Sequence, residues 1–239
     1  MAMPGNAPSP RLLASAALAV ALAACQPQAP VADTAVDDTA AAPAPGVTPG
    51  ERINFQCGDL VVGATFDDAG QNVRVSWSGQ RLDLANVTAA SGARYADDAG
   101  NEFWSRGLDE AQLTLSGQQR RDCVRADRSS PWDVAADKGV RFRAIGQEPG
   151  WLVEVSDGLD GEAALTAHLD YGQRLLEATG LASEADGFSG QAADGTQVEL
   201  TIEERECSDP MSGERFQAGA TLTVGGEEYQ GCGAWLHAD

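Results

Sequence analysis

Two short stretches carry side chains suited to seizing an acidic group. They are Ser91-Gly92-Ala93-Arg94-Tyr95 and, a turn later, Phe103-Trp104-Ser105-Arg106-Gly107. Each sets a polar side chain directly beside a glycine: the Ser91 hydroxyl in the first and the permanently charged Arg106 guanidinium in the second. Glycine lets a loop turn tightly or lie close against another surface. A hydroxyl both donates and accepts, and a guanidinium pairs with carboxylates. Together they suit a concave target built around carboxyl groups. A plainer reading stands beside this one. Ser91-Gly92 is then only a turn, Tyr95 and Trp104 support the loops from the core, and Arg94 braces the Ser91 loop instead of touching a partner.

Other chemistry is poorly represented. The chain has only two histidines, His168 and His237, and no CxxC spacing, which argues against zinc. No nucleophile elbow, phosphate-cradling glycine loop or paired-carboxylate motif stands out. Met211-Ser212-Gly213, close to Cys207, reads as a turn held by a disulfide. The expectation is a protein that is not an enzyme and needs no cofactor or metal. Acidic residues outnumber basic ones 36 to 16, for a net charge of −20, so nucleic acid is a poor partner. An acidic surface also favours solubility.

These loops need elements to hold them. Residues 51–125 alternate apolar and polar with period two: Ile53, Phe55 and Cys57; Val62, Ala64 and Phe66; Val73, Val75 and Trp77; Leu82 and Leu84; Ala111, Leu113 and Leu115. Turn signals at Asp67-Asp68-Ala69-Gly70, Ser78-Gly79-Gln80 and Asp97-Asp98-Ala99-Gly100 separate the runs. About eight short strands at this spacing argue for an antiparallel barrel or sandwich. Residues 126–138 contain Ser129-Ser130-Pro131 and one large apolar residue, Trp132, and read as a linker. Residues 139–239 alternate again, with a hairpin signal at Gly225-Gly226. Arg174 to Ala182 fits either a helix or a strand. Residues 138–239 hold 19 acidic against 6 basic residues, most of the acidic excess.

Five cysteines divide into two pairs and one remainder. Cys57 and Cys123 bracket the first β-rich segment, and Cys207 and Cys232 bracket the end of the second. Disulfides imply an oxidising compartment. If Cys57 pairs with Cys123, the chain-entropy stabilisation is roughly 4 kcal/mol at most.

The remaining cysteine, Cys25, follows Arg11 and the apolar run Leu12 to Ala24, too short to span a bilayer comfortably. Leu22-Ala23-Ala24-Cys25 resembles the lipobox of bacterial lipoproteins. That resemblance implies a signal peptide over 1–24 and acyl chains on Cys25 as the membrane anchor. Gln26 after it implies passage to the outer membrane. Residues 26–50 are rich in Ala, Pro, Asp and Thr and read as a disordered tether.

Residues 53–123 resemble the MliC/PliC family, periplasmic or membrane-bound inhibitors of c-type lysozyme. The resemblance rests on Phe55-Gln56-Cys57, Val73-Arg74-Val75, Ala89-Ala90-Ser91-Gly92-Ala93-Arg94-Tyr95, Phe103-Trp104-Ser105-Arg106-Gly107, Ala111-Gln112-Leu113 and Cys123 in that order. It implies a small eight-stranded barrel with one disulfide, in agreement with the strand count. It also implies that Ser91 enters the lysozyme cleft. Arg106 stands where the family usually has lysine, and a planar fork is not equivalent to a compact ammonium.

Residues 141–233 resemble an uncharacterised domain of bacterial envelope lipoproteins. The strings are Phe142-Arg143-Ala144-Ile145-Gly146-Gln147-Glu148-Pro149-Gly150-Trp151, Cys207-Ser208-Asp209-Pro210-Met211-Ser212-Gly213 and Tyr229-Gln230-Gly231-Cys232-Gly233. No activity comes with it.

The combined expectation is an all-β protein: an eight-stranded antiparallel β-barrel over 51–127, a linker over 128–138 and a second mostly-β domain over 139–239. A lipoprotein signal (1–24) and a lipidated tether (25–50) precede them. The expected lysozyme-binding residues are Ser91, Gly92, Arg94, Tyr95 and Arg106. The expected disulfides are Cys57–Cys123 and Cys207–Cys232. The competing reading is a ligand-binding or stress-sensing envelope lipoprotein that uses its barrels as scaffolds.

Overall fold

Alternating burial turns the period-two sequence pattern into strands. In β1 (Arg52–Cys57), Ile53, Phe55 and Cys57 point inward while their neighbours face out. The same logic builds β2 (Leu60–Phe66), β3 (Asn72–Trp77), β4 (Gln80–Val87), β5 (Ala93–Ala96), β6 (Glu102–Ser105), β7 (Glu110–Thr114) and β8 (Arg121–Arg125). Each strand pairs antiparallel with the next, and β8 pairs back on β1, closing an eight-stranded barrel. The computed structural model describes residues 48–158 and 161–237. The expected signal, the lipidation site Cys25 and most of the tether lie outside the described residues.

The barrel is filled by aromatic and branched side chains. Phe55 and Phe103 meet edge to face at 5.6 Å, and Phe66 lies between Phe103 and Tyr95. Cys57 and Cys123 are register partners where β1 meets β8, and they form a disulfide. The covalent bond therefore sits at the seam that closes the barrel.

The segment expected to be only a linker folds as a short helix, α1 (Pro131–Asp137). Ser130 caps it by accepting a hydrogen bond from the Trp132 amide at 3.2 Å, and Pro131 opens the first turn. Trp132 is buried, with its ring 5.1 Å from that of Phe216. Arg52 pairs with Asp137 at 2.9 Å, and the Ser76 hydroxyl donates to Asp133 at 3.2 Å. These contacts hold the helix against the outer wall of the first barrel.

The second half closes into its own barrel. The strands are β9 (Val140–Gln147), β10 (Gly150–Asp157), β11 (Ala163–Leu169), β12 (Arg174–Glu184), β13 (Gly187–Gln191), β14 (Gln197–Glu203), β17 (Ala218–Val224) and β18 (Glu227–Trp235). The ambiguous Arg174 to Ala182 run is strand. A two-stranded ribbon, β15 (Cys207–Ser208) and β16 (Arg215–Phe216), is inserted between β14 and β17. The Cys207–Cys232 disulfide ties this ribbon to β18. Asp209 shapes it, accepting from the amides of Met211 and Ser212 and from the Ser212 hydroxyl. Burial alone would raise the Asp209 pKa, but these hydrogen bonds and one from Gln147 hold it below the usual value.

Both barrels belong to one compact unit. The β3–β4 hairpin of the first barrel meets the ribbon of the second. Trp77 pairs with Gln80 across a two-residue turn, and Ser78 and Gly79 both have positive φ, as a type I′ turn requires. A Cβ on Gly79 would lie 2.6 Å from that of Ala234, so glycine permits the barrels to approach. The Ser78 hydroxyl donates to Glu214, and the Gln80 amide donates to the Arg215 carbonyl at 2.8 Å.

Burial pushes the Glu214 pKa up, and nearby Asp209 adds to the effect, while the Ser78 hydrogen bond opposes it. An acid with a raised folded pKa destabilises the fold when ionised, and that penalty vanishes once the pH falls below its unfolded value. Glu214→Gln keeps an acceptor for Ser78 and removes the charge. It should raise the melting temperature at pH 7 by on the order of a few degrees and leave it unchanged near pH 4. A drop at pH 7 in a thermal melt would refute this account of Glu214.

Candidate functional site

A closed meander places successive loops at alternating ends. The β2–β3, β4–β5 and β6–β7 loops of the first barrel share one pole, while the β1–β2, β3–β4, β5–β6 and β7–β8 turns share the other. The Ser91 and Arg106 stretches lie in the β4–β5 and β6–β7 loops, so the fold brings both to the same pole. The second barrel contacts the opposite pole through Ser78, Gly79 and Gln80.

Ser91 and Gly92 are exposed. Gly92 has φ +70°, and a Cβ there would lie 2.4 Å from the Ser105 carbonyl oxygen. The loop can therefore lie against β6 only with glycine at this position. The Trp104 indole N–H donates to the Ser91 carbonyl at 2.9 Å and anchors the loop from the neighbouring strand. The Ser91 hydroxyl makes no hydrogen bond among the described residues, so it is free to serve an outside partner.

Arg106 extends the same assembly. Its guanidinium lies over the Trp104 ring, 4.8 Å from the centroid, a cation–π contact worth roughly 0.5–1 kcal/mol when exposed. It also reaches Gln112 at 3.4 Å, and Gln112 in turn donates to Asp122 at 2.8 Å. Arg106 has no carboxylate partner among the described residues. The β6–β7 loop around it is shaped by the Ser105 hydroxyl donating to the Gly107 carbonyl at 2.6 Å and the Arg106 amide donating to the Glu110 carbonyl at 2.8 Å.

The remaining expected residues make contacts within the barrel. Arg94 and Trp104 are register partners, and the Arg94 guanidinium binds Glu102 through Nε at 2.8 Å and Nη2 at 2.5 Å. Arg94 therefore braces the wall beneath the loop. Tyr95, expected among the binding residues, is fully buried, packs on Phe66 and donates its hydroxyl to the Gly70 carbonyl at 3.2 Å. It has no surface to offer a partner, because Ala93 and Tyr95 occupy the inward positions of β5. Burial raises the Tyr95 pKa above its ordinary value. Its bond to Gly70 instead steadies the adjacent β2–β3 turn. Trp104, assigned to support, proves to be the link between Ser91 and Arg106.

Taken together, the pole presents an uncommitted hydroxyl and a guanidinium, with one indole bonded to the Ser91 backbone and lying beneath Arg106. Residues 55–122 match the family model MliC, the membrane-bound lysozyme-inhibitor of c-type lysozyme. The MliC match runs from β1 into β8 and includes both loops. It covers the first barrel and none of the second. No curated protein and no solved structure matches the chain. Among the described residues, no group of acidic, histidine or cysteine side chains could hold a metal ion, and no helix is long and apolar enough to cross a membrane.

Trp104 gives this pole its internal test. Trp104→Phe keeps a ring beneath Arg106 and removes the N–H that holds Ser91. Losing this hydrogen bond should release about 0.5–1.5 kcal/mol of local order. Amide hydrogen exchange in the 88–92 loop should speed up while exchange in β1 and β8 stays slow. Unchanged loop exchange would mean that the indole is not the anchor.

Proposed function

We propose that the first barrel inhibits c-type lysozyme by seating the Ser91 loop in the enzyme's active-site cleft. The observation that carries this reading is the free Ser91 hydroxyl, held out by Trp104 beside Arg106 on the pole away from the second barrel. Lysozyme works with two carboxyl groups, one kept protonated and one ionised. A serine hydroxyl is matched to that pair: it donates to the carboxylate and accepts from the acid. Arg106 adds a charge-assisted bond to the ionised group or to an acid on the cleft wall. The loop is tied down before binding, which lowers the entropy lost on association. No chemistry is required of the inhibitor.

In this reading Gly92 allows the loop's close approach, Arg94 and Tyr95 stiffen its base, and Ser91 and Arg106 make the contacts. The acidic second barrel contributes long-range attraction to a basic enzyme, an effect on association rate that salt suppresses. The lipobox-like Leu22-Ala23-Ala24-Cys25 supports anchoring through acyl chains on Cys25 in the outer membrane, with the following segment as a tether.

Lysis assays with the full-length protein and c-type lysozyme test the proposal. Ser91→Ala should weaken inhibition by roughly 10- to 100-fold, as expected for a lost hydrogen bond to charged groups. Ser91→Trp should abolish it by blocking entry of the loop. Arg106→Lys should retain most inhibition and Arg106→Gln should lose it. Association should slow as salt rises. Full inhibition by Ser91→Trp would rule out insertion of this loop.

A further inference from the structure

The pole opposite Ser91 is not sealed by the second barrel. A cleft of about 820 Å³ remains between that mouth of the first barrel and the ribbon of the second. This volume lies in the upper part of the range for small-molecule sites, roughly 300–1,000 Å³. Its walls combine three kinds of group. Trp77, half-buried at the end of β3, supplies an aromatic surface whose indole N–H has no partner among the described residues. Gln80, Gln118, Gln119 and Gln217 supply amides. Arg81, Arg121 and Arg215 supply guanidiniums, opposed by Glu206 and Glu214.

The guanidiniums stand out in a protein of net charge −20. Arg81 is exposed and has neither an ion pair nor a hydrogen bond among the described residues. Arg121 occupies an inward position in the barrel mouth, across from Leu113. Its Nη2 donates to Gln118 at 2.9 Å, but its Nη1 is buried with no acceptor. A buried donor without an acceptor is uncommon and calls for something to complete it. Arg215 approaches Glu206 only at 3.8 Å.

We propose that this cleft binds a saccharide bearing a single carboxylate. An indole offers a flat apolar surface to the C–H side of a pyranose ring and a donor at its edge. Each primary amide sets an acceptor beside two donors, a match for neighbouring hydroxyls or an acetamido group. Arg81 and Arg121 supply planar donors for a carboxylate. Three guanidiniums against two carboxylates favour one negative charge on the ligand, and the two glutamates disfavour a phosphate carrying two. The site lies at the other pole from Ser91, so it operates independently of lysozyme binding.

The test is calorimetry and tryptophan fluorescence on the full-length protein. The probe is the disaccharide of N-acetylglucosamine and N-acetylmuramic acid. Chitobiose serves as the neutral comparator and glucose 6-phosphate as the doubly charged one. The acidic disaccharide should bind saturably and at least about tenfold more tightly than either, the scale of one charge-assisted bond. Arg81→Gln, at an exposed position, should erase most of that preference without changing the melting temperature, and Arg121→Gln should also erase most of it. Ser91→Ala should leave sugar binding intact. The proposal is overturned by absence of saturable binding, by equal affinity for chitobiose, by tighter binding of glucose 6-phosphate, or by full affinity in both arginine variants.

Discussion

Closure of the first sheet by β8 pairing with β1 is the constraint on which the rest of the molecule depends. An open meander would leave its loops spread along an edge. A closed one gathers alternate loops at two poles, and an even number of strands lets the last pair antiparallel with the first. Closure brings the β4–β5 and β6–β7 loops together, although Ser91 and Arg106 are separated by two strands and a turn. It also directs the β3–β4 hairpin away from them. The Cys57–Cys123 disulfide sits on the closing pair, where opening of the seam would begin.

The second barrel repeats the plan and uses it differently. It is also an eight-stranded closed meander, and its ribbon is inserted between its sixth and seventh strands. That is the connection which, in the first barrel, carries Arg106. Here the connection is longer, bears the Cys207–Cys232 bond and delivers Glu214 and Arg215 to the neighbouring barrel. The connection equivalent to the Ser91 loop is a short turn between Glu184 and Gly187, which register partners enclose. Its two intervening residues, Ala185 and Asp186, offer no hydroxyl. The same topology thus yields an open pole carrying Ser91 and Arg106 in one barrel and a clamp in the other.

Most strands were legible because an inward-facing row every second residue is what a half-buried strand needs. The Arg174 to Ala182 run was not, and the structure gives the reason. Leu175 is 57% exposed beside the buried Leu176, and the β11–β12 register shifts between Ala163 and Leu165, so alternation fails locally. The helix between the barrels has only seven residues, too few for a helical period, and only the Ser130-Pro131 cap announced it. At the Ser91 pole, the exposed Ser91-Gly92 pair is readable from residue types. The inward position of Tyr95 follows from the alternation of β5. The Trp104 bond to Ser91 required knowing which strands are neighbours and in what register, and a single sequence does not carry that information.

The placement of positive charge connects the two poles. Many of the arginines are neutralised at home: Arg74 by Asp83, Arg94 by Glu102, Arg143 by Glu154 and Arg174 by Glu227. In so acidic a chain a carboxylate is easily found, so a guanidinium without one reflects its surroundings. Arg106 rests on an indole and an amide instead of an acid. Arg121 is bonded to an amide and retains an unused donor. An aromatic or amide neighbour orients a guanidinium while leaving its charge uncompensated. An external carboxylate then meets a cation that is already positioned and has no internal partner to give up. Both poles of the first barrel are built this way, one on a loop aimed outward and the other around a cleft.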